Sequence, residues 1–195
     1  MEQIRAFIAV ELSTAAKGAL GSIIQELQVA VPSGVQWVRP EGIHLTLKFL
    51  GDIVTESVGP ISQAMSRCAA LIPPFDIYLS ELGAFPNLKA PRVIWIGLGG
   101  ALDALLGLQV SLAEELECLG YARERRPFSP HLTLGRVRDG MPASQRMRVG
   151  DNLDTVSLEI SEDLAVSEIA FIQSTLTPFG AIYTQLFSIP LSRAT

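Results

Sequence analysis

The sequence predicts an α+β fold with two pseudo-symmetric lobes, built mainly from antiparallel sheet flanked by helices. Two observations support this prediction. Predicted strands and helices alternate irregularly and several strands follow one another directly, which disfavours a doubly wound parallel sheet. The tetrapeptide His-Leu-Thr-Leu also occurs once in each half of the chain, each time within its own run of strands and helices. We expect residues 1–195 to form a single bilobal domain.

The elements follow from apolar periodicity and from turn residues. Strands are predicted over residues 4–10, 35–38, 43–49, 75–82, 92–98, 131–137, 156–160, 164–174 and 181–189. Helices are predicted over residues 15–31, 55–71, 102–119 and 143–149, and Ser13 or Thr14 is expected to cap the first. Gly51 and Asp52 are predicted to form a turn, and residues 83–91 a loop.

The composition is that of a packed globular protein. Hydrophobic residues make up 48% of the chain and charged residues 18%, with a mean hydropathy of +0.34. Because the chain has no apolar run of about 18 residues and no signal-peptide pattern, we expect a cytoplasmic protein without a membrane span. A net charge of −5 disfavours the coating of long nucleic acid, so any nucleic-acid contact should be local.

The chain has only two histidines, and the segment Leu-Thr-Leu follows both. On a strand, residues i and i+2 face the same way, so His44 and Thr46 share one face, and so do His131 and Thr133. If the lobes face each other, two imidazoles and two hydroxyls converge on one cleft. Such a duplication on the only histidines is a strong indication of a shared function.

Two imidazoles are suited to acid–base catalysis of a displacement at phosphorus. Near neutral pH one can be neutral and deprotonate water, while the other is charged and protonates the leaving oxygen. The threonine hydroxyls can donate to phosphoryl oxygens, and Arg136, five residues after His131, can add a charge-assisted contact. The spacing does not say which histidine is the acid.

Other interpretations of the motifs fit the residues less well. A histidine can be a core residue whose ring nitrogens are hydrogen-bonded, but this does not explain the repeated motif. A catalytic zinc site needs three protein ligands, so two histidines would need a third ligand such as a carboxylate, and neither motif contains one. Serine or cysteine nucleophiles and a phosphate-binding loop lack their sequence signatures. We therefore expect no metal and no cofactor. Cys68 and Cys118 lie in apolar, helical stretches and are expected to be buried thiols.

Segments along nearly the whole chain resemble the two-histidine phosphoesterase superfamily, in particular the RNA 2′,3′-cyclic phosphodiesterases that were formerly called 2′-5′ RNA ligases. They are residues 5–10 (RAFIAV), 37–38 (WV), 44–51 (HLTLKFLG), 91–97 (PRVIWIG), 128–136 (FSPHLTLGR) and 168–174 (EIAFIQS), followed by Gly180 and Tyr183. The resemblance implies a bilobal fold with a central cleft and no metal. It also implies hydrolysis of a terminal 2′,3′-cyclic phosphate, on RNA or a nucleotide, to a 2′-phosphomonoester.

By the same resemblance, His44 is the general acid at the leaving 3′ oxygen and His131 is the general base for water. Thr46, Thr133 and Arg136 bind the phosphate. The expected partners are RNA 3′ ends or nucleotides with a cyclic phosphate, the protein is expected to be a monomer, and the reverse reaction would join RNA strands. Alternatives are another substrate, such as ADP-ribose cyclic phosphate or 2′-5′ oligonucleotides, and an RNA-end binder without catalysis.

Several further assignments stay open at this point. Arg5 and Phe7 share a strand face and either line the nucleotide pocket or belong to a salt bridge and the core. Phe49 either stacks on a base or packs in the core. Trp37 and Trp95 are expected in the core. The basic residues around the second motif form either a solvated loop or a positive rim that attracts a phosphate; they are Arg123, Arg125, Arg126, Arg136 and Arg138.

Overall fold

The fold consists of two antiparallel sheets and four α-helices in the residues that the computed structural model describes, which are 2–158, 162–178 and 180–192. The strands are β1 (Gln3–Glu11), β2 (Val35–Trp37), β3 (His44–Val54), β4 (Phe75–Phe85), β5 (Val93–Gly100), β6 (His131–Val137), β7 (Asp163–Val166), β8 (Glu168–Thr177) and β9 (Gly180–Pro190). The helices are α1 (Thr14–Ala30), α2 (Val58–Ala69), α3 (Leu102–Glu117) and α4 (Ala143–Asp154). Two short 3-10 turns, Pro40–Gly42 and Thr55–Ser57, precede β3 and α2.

The two sheets have related strand orders, β3-β1-β8-β9 and β2-β6-β5-β4-β7, and all strand pairs among the described residues are antiparallel. Without β2, the second order repeats the first. Each half of the chain begins with a strand and a helix, which are followed by the strand that starts with a histidine and by a second helix. The next long strand, β4 or β8, belongs to the other sheet. Thus β4 pairs with β5, and β8 returns to β1. The predicted α+β fold with two lobes is confirmed, although the lobes exchange strands between the sequence halves.

Each helix is placed by an apolar stripe. In α3 the buried residues Leu105, Leu108, Leu112 and Leu116 recur at intervals of three and four, which puts them on one helix face. Helix α1 begins after Ser13, whose side chain accepts a hydrogen bond from the Ala16 amide at 3.1 Å.

The helices and sheets bury one continuous apolar core. A separate small cluster lies on the other face of the first sheet; it contains Phe7, Ala9, Ala170 and Ile172.

Two segments that were expected to interrupt strands are wholly or partly within strands in the structure. Gly51 and Asp52 do not form a turn, because β3 continues to Val54 and Gly51 takes a φ of +74° at an irregularity in the pairing with β1. Such a φ suits glycine, which explains why this residue resembles a turn signal. The predicted loop at 83–91 is shorter, because β4 runs through Phe85 before a cis bond to Pro86.

The C-terminal third differs more from the prediction. Residues 156–158 are not in a strand, and the rest of the strand predicted at 156–160 lies outside the described residues. The single strand predicted at 164–174 is divided at Ser167 into β7 and β8, which belong to different sheets. Helix α4 is longer than predicted. Cys68 is buried as expected, whereas Cys118 is exposed, because it follows the last residue of α3.

Candidate active site

A cleft with a volume of about 1070 Å³ contains both histidine motifs. His44 and Thr46 at the start of β3 contribute from one sheet, and His131 and Thr133 at the start of β6 contribute from the other. The other residues singled out from the sequence that also line it are Arg5, Phe7, Phe49 and Arg136. The fold therefore brings the two histidines, the two threonines and these four residues to one cleft.

Both histidine strands contain a bulge at the same position of the motif. The pairing of β3 with β1 skips Leu47, and the pairing of β6 with β5 skips Leu134. An extra residue shifts the alternation of side chains by one position, so the fifth residue after each histidine returns to the face of the histidine. This is why Phe49 and Arg136 both line the cleft. Phe49 is thus the counterpart of Arg136 in the first motif.

The His44 ring is held between two aromatic side chains. It stacks on Phe7 with ring centroids 4.5 Å apart and an interplanar angle of 29°. The edge of Tyr183 meets it at 4.9 Å and 85°. Phe7 is only 2% exposed, and its ring lies 5.9 Å from that of Phe49. Phe7 therefore packs against one face of the His44 ring and leaves almost no surface that a ligand could contact.

Burial lowers the pKa of His44 to about 4, since an apolar environment disfavours the charged ring. Glu11 and a hydrogen bond to the backbone of Gly42 act in the opposite direction, and Lys17 adds a smaller lowering effect. Glu11 lies opposite His44 in the sheet, and its Oε2 is 2.9 Å from the Nζ of Lys17. In the free protein His44 is therefore neutral at pH 7.

Lys17→Met is expected to raise the pKa of His44, because it removes a nearby positive charge and leaves Glu11 unneutralised. Glu11→Gln is expected to lower this pKa further, and it is the matched variant because it changes the other member of the same ion pair. Titration of the ring signals in ¹⁵N-histidine NMR spectra measures both. Shifts of the same sign in the two variants would contradict this description of the site.

The orientation of His131 is set by a backbone hydrogen bond. Its Nδ1 lies 2.7 Å from the carbonyl oxygen of Ser129. Because a carbonyl can only accept, Nδ1 carries the proton, and Nε2 of the neutral ring is free to act as a base. Phe85 meets the ring edge-on at 4.9 Å, and Trp95 lies 6.3 Å away.

Trp95 does not take the core position that was expected for it. It is half-buried and lies across Gly83, where an added Cβ would come within 2.3 Å of the indole ring. Its Nε1 is buried, and the described residues offer it no hydrogen-bond partner. Trp37, in contrast, packs against the core as expected.

The basic residues around the second motif have different roles. Arg126 and Arg136 line the cleft, and so does Arg123, but Arg123 is paired with Glu117 at 2.8 Å and with Glu114 at 3.6 Å. Arg125 and Arg138 are not among the cleft-lining residues. On the first lobe Arg5 lines the cleft, and no described carboxylate forms an ion pair with it. The positive rim is thus confined to a few side chains.

Sequence reasoning missed four residues of the site. Lys48, Phe85 and Ser129 had been assigned no role, and Tyr183 entered only as part of the resemblance. The carbonyl of Ser129 carries no sequence signal, and Phe85 lay in a predicted loop. The other two could have been found from the sequence. Lys48 directly follows the first motif, and Tyr183 is an aromatic residue in the predicted strand 181–189.

Two antiparallel lobes that each present a His-x-Thr pair to a shared cleft define the class of two-histidine phosphoesterases. A family model described as LigT like phosphoesterase matches residues 10–95 and 99–183. The chain belongs to this family, which confirms the resemblance seen in the motifs.

Curated relatives match over nearly their whole length. The RNA 2′,3′-cyclic phosphodiesterase of Archaeoglobus fulgidus is 36% identical over 183 residues, covering 94% of this chain and 98% of that protein. The one from Methanothermobacter thermautotrophicus is 33% identical over 184 residues, covering 94% and 97%. Among solved structures, TT0787 of Thermus thermophilus gives a TM-score of 0.77 at 29% identity, covering 98% of this chain and 100% of that chain. E. coli LigT complexed with 3′-AMP gives 0.76 at 25% identity with the same coverage.

Two kinds of feature are absent from the described ranges. Residues 2–158, 162–178 and 180–192 contain no helix that is both long and apolar enough to cross a membrane. In the same part of the chain, no group of three or more His, Cys, Asp or Glu side chains is placed to hold a metal ion.

Proposed function

We propose that this protein is an RNA 2′,3′-cyclic phosphodiesterase, which hydrolyses a terminal cyclic phosphate on RNA or a nucleotide to a 2′-phosphomonoester without a metal ion. The observation that carries the proposal is the pair of His-x-Thr motifs lining one cleft, one from each lobe. The relatives named RNA 2′,3′-cyclic phosphodiesterase align with almost the entire chain, which supports the same activity here.

We assign His131 as the general base. Its Nδ1–H donates a hydrogen bond to the carbonyl oxygen of Ser129, so Nε2 of the neutral ring can take a proton from water. The water oxygen then attacks phosphorus, and the bond between phosphorus and the 3′ oxygen breaks. The phosphate stays on the 2′ oxygen, and the 3′ oxygen needs a proton as it leaves.

We assign His44 as the acid that supplies this proton. With a pKa of about 4 in the free protein, His44 is mostly unprotonated at neutral pH. A cyclic phosphate is an anion, and an anion beside an imidazole raises its pKa. Substrate binding therefore raises the pKa of His44, and the ring takes up from solvent the proton that it later donates. With the 5′-hydroxyl of a second strand in place of water, the same two groups would join the strands: the hydroxyl oxygen attacks phosphorus, the bond to the 3′ oxygen breaks, and a 2′-5′ linkage forms.

The remaining cleft residues hold the substrate. The hydroxyls of Thr46 and Thr133 donate to the non-bridging phosphoryl oxygens, and Arg136 adds a charge-assisted contact. Phe49 is 64% exposed although it is a large aromatic residue, so it can stack on the terminal base. Of the two places open to Phe7 from the sequence, the nucleotide pocket and the core, its burial beneath His44 favours a supporting position in the core.

Both lobes of the cleft come from one chain, so we propose that a monomer of 195 residues acts as a single catalytic domain. An RNA substrate is consistent with action in the cytoplasm.

Hydrolysis of a nucleoside 2′,3′-cyclic phosphate is expected to proceed at the same rate with and without excess EDTA, because both proton transfers use side chains. The rate is followed by separation of the cyclic and linear nucleotides. Loss of activity on chelation, with recovery on addition of a divalent cation, would contradict the metal-free mechanism. Tight RNA binding with no turnover would favour a non-catalytic RNA-end binder instead.

A further inference from the structure

Lys48 is the residue of this cleft that the reaction leaves unexplained. It lies in β3 four residues after His44 and is only 3% exposed. No other polar or charged side chain is buried in the described part of the chain. Burial of an ammonium group costs free energy that hydrogen bonds only partly offset, and an apolar residue at such a site is often neutral or stabilising. Stability alone therefore does not account for this lysine.

The partners of Lys48 belong to the second lobe. Its Nζ donates to the carbonyl oxygen of Ala122 at 2.6 Å and lies 2.9 Å from Oε2 of Glu124. Both residues lie in the connection between α3 and β6, residues 118–130, which we call the α3–β6 segment. Lys48 thus joins the strand that carries His44 to the segment that leads directly into His131.

The α3–β6 segment also sets the second histidine. Ser129, near its end, accepts the hydrogen bond from His131 Nδ1 that fixes the ring and its tautomer. The segment further brings Arg126 to the cleft. A shift of the segment relative to β3 would therefore move the base away from the acid.

The second motif has no counterpart of this lysine. The residue four positions after His131 is Gly135, where an added Cβ would come within 2.8 Å of Val35 and 2.9 Å of Trp37. There the neighbouring strand β2 fills the space. The lysine is thus a feature of the first lobe alone and not a requirement of the repeated motif.

We propose that Lys48 is a positioning residue, which ties the α3–β6 segment to β3 and so fixes the placement of His131 relative to His44. Its kinetic consequence rests on the proposed function. Its structural consequence, the state of the His131 ring, does not.

The test replaces Lys48 by methionine, which is unbranched and only one atom shorter but donates no hydrogen bond. Since the chain has two histidines, ¹⁵N-histidine NMR resolves both rings. In Lys48→Met we expect the His131 Nδ1 proton to exchange faster with water, while the corresponding signal of His44 stays unchanged. We expect kcat to fall about 10–100-fold, the usual loss when a reacting group is misplaced by about 1 Å.

Arg67→Met is the matched control. Arg67 on α2 forms a 2.6 Å ion pair with Glu115 on α3, so it also links the two halves of the chain, but neither residue lines the cleft. This variant should leave kcat and both ring signals as in the unmodified protein. Glu124→Gln, which keeps an oxygen that can accept from Lys48, should retain the slow exchange at His131.

Two outcomes would overturn the proposal. One is a Lys48→Met protein with unchanged His131 exchange and a kcat within about twofold of the unmodified protein. The other is a large fall in Tm with equal changes in both rings, which would make Lys48 a general stabilising residue. If the unmodified protein does not hydrolyse the cyclic phosphate, the proposed function fails, and the exchange at His131 still decides the role of Lys48.

Discussion

Replacement of either histidine by alanine is expected to lower kcat by about 10²–10⁴-fold, the share that general acid–base catalysis supplies. In the mechanism that we propose, His44→Ala removes the proton donor for the leaving oxygen, and His131→Ala removes the acceptor for the proton of water. Because both act in one step, the double variant should lose little more than either single variant. The measurement is single-turnover hydrolysis of a nucleoside 2′,3′-cyclic phosphate.

The fold must survive for this comparison to be valid, since His44 is packed between Phe7 and Tyr183. Tm and the far-UV circular dichroism of each variant provide the control. Full activity in both folded single variants would remove the histidines from the mechanism, and losses that multiply in the double variant would show that the two histidines contribute independently rather than as a pair.

Thr46→Val and Thr133→Val are each expected to lower kcat by about 10²–10³-fold, the usual cost of removing one donor to a developing oxyanion. Valine keeps the shape of threonine at a strand position, so the change is confined to the hydroxyl. If the hydroxyls bind the phosphate only in the ground state, KM rises and kcat does not change. Steady-state kinetics separates the two cases.

Thr175→Val is the control for both substitutions. Thr175 is an exposed threonine of β8 and does not line the cleft. It should keep kcat within about twofold. An equal loss in this variant, or no loss at Thr46 and Thr133, would contradict the assignment of the hydroxyls.

The candidate site could be predicted from the sequence because it depends on strand alternation. Two copies of His-Leu-Thr-Leu place an imidazole and a hydroxyl on the same face, and β6 begins and ends where the pattern indicated. The alternation alone would turn Arg136 away from His131, since it lies five positions further along the strand, an odd offset. The bulge at Leu134 restores the contact with the cleft, and bulges carry no reliable sequence pattern.

The arrangement of the lobes could not be predicted in the same way. That β8 pairs with β1 depends on contacts between strands from opposite ends of the sequence, and each of these strands has the local pattern of an ordinary apolar strand. Gly83 illustrates the limit: it resembled the start of a loop, whereas it lies in β4 and makes room for the ring of Trp95. The partners of Lys48 likewise could not be predicted from the sequence around it, because they lie more than seventy positions away.

The most direct test of the central claim is product analysis on a short RNA that ends in a 2′,3′-cyclic phosphate. The RNA is incubated with the protein in EDTA, and the product is identified by phosphorus NMR. We predict a 2′-monophosphate, because the bond to the 3′ oxygen breaks beside His44 while His131 activates water on the other side. A 3′-monophosphate, or no hydrolysis by the folded protein, would contradict it.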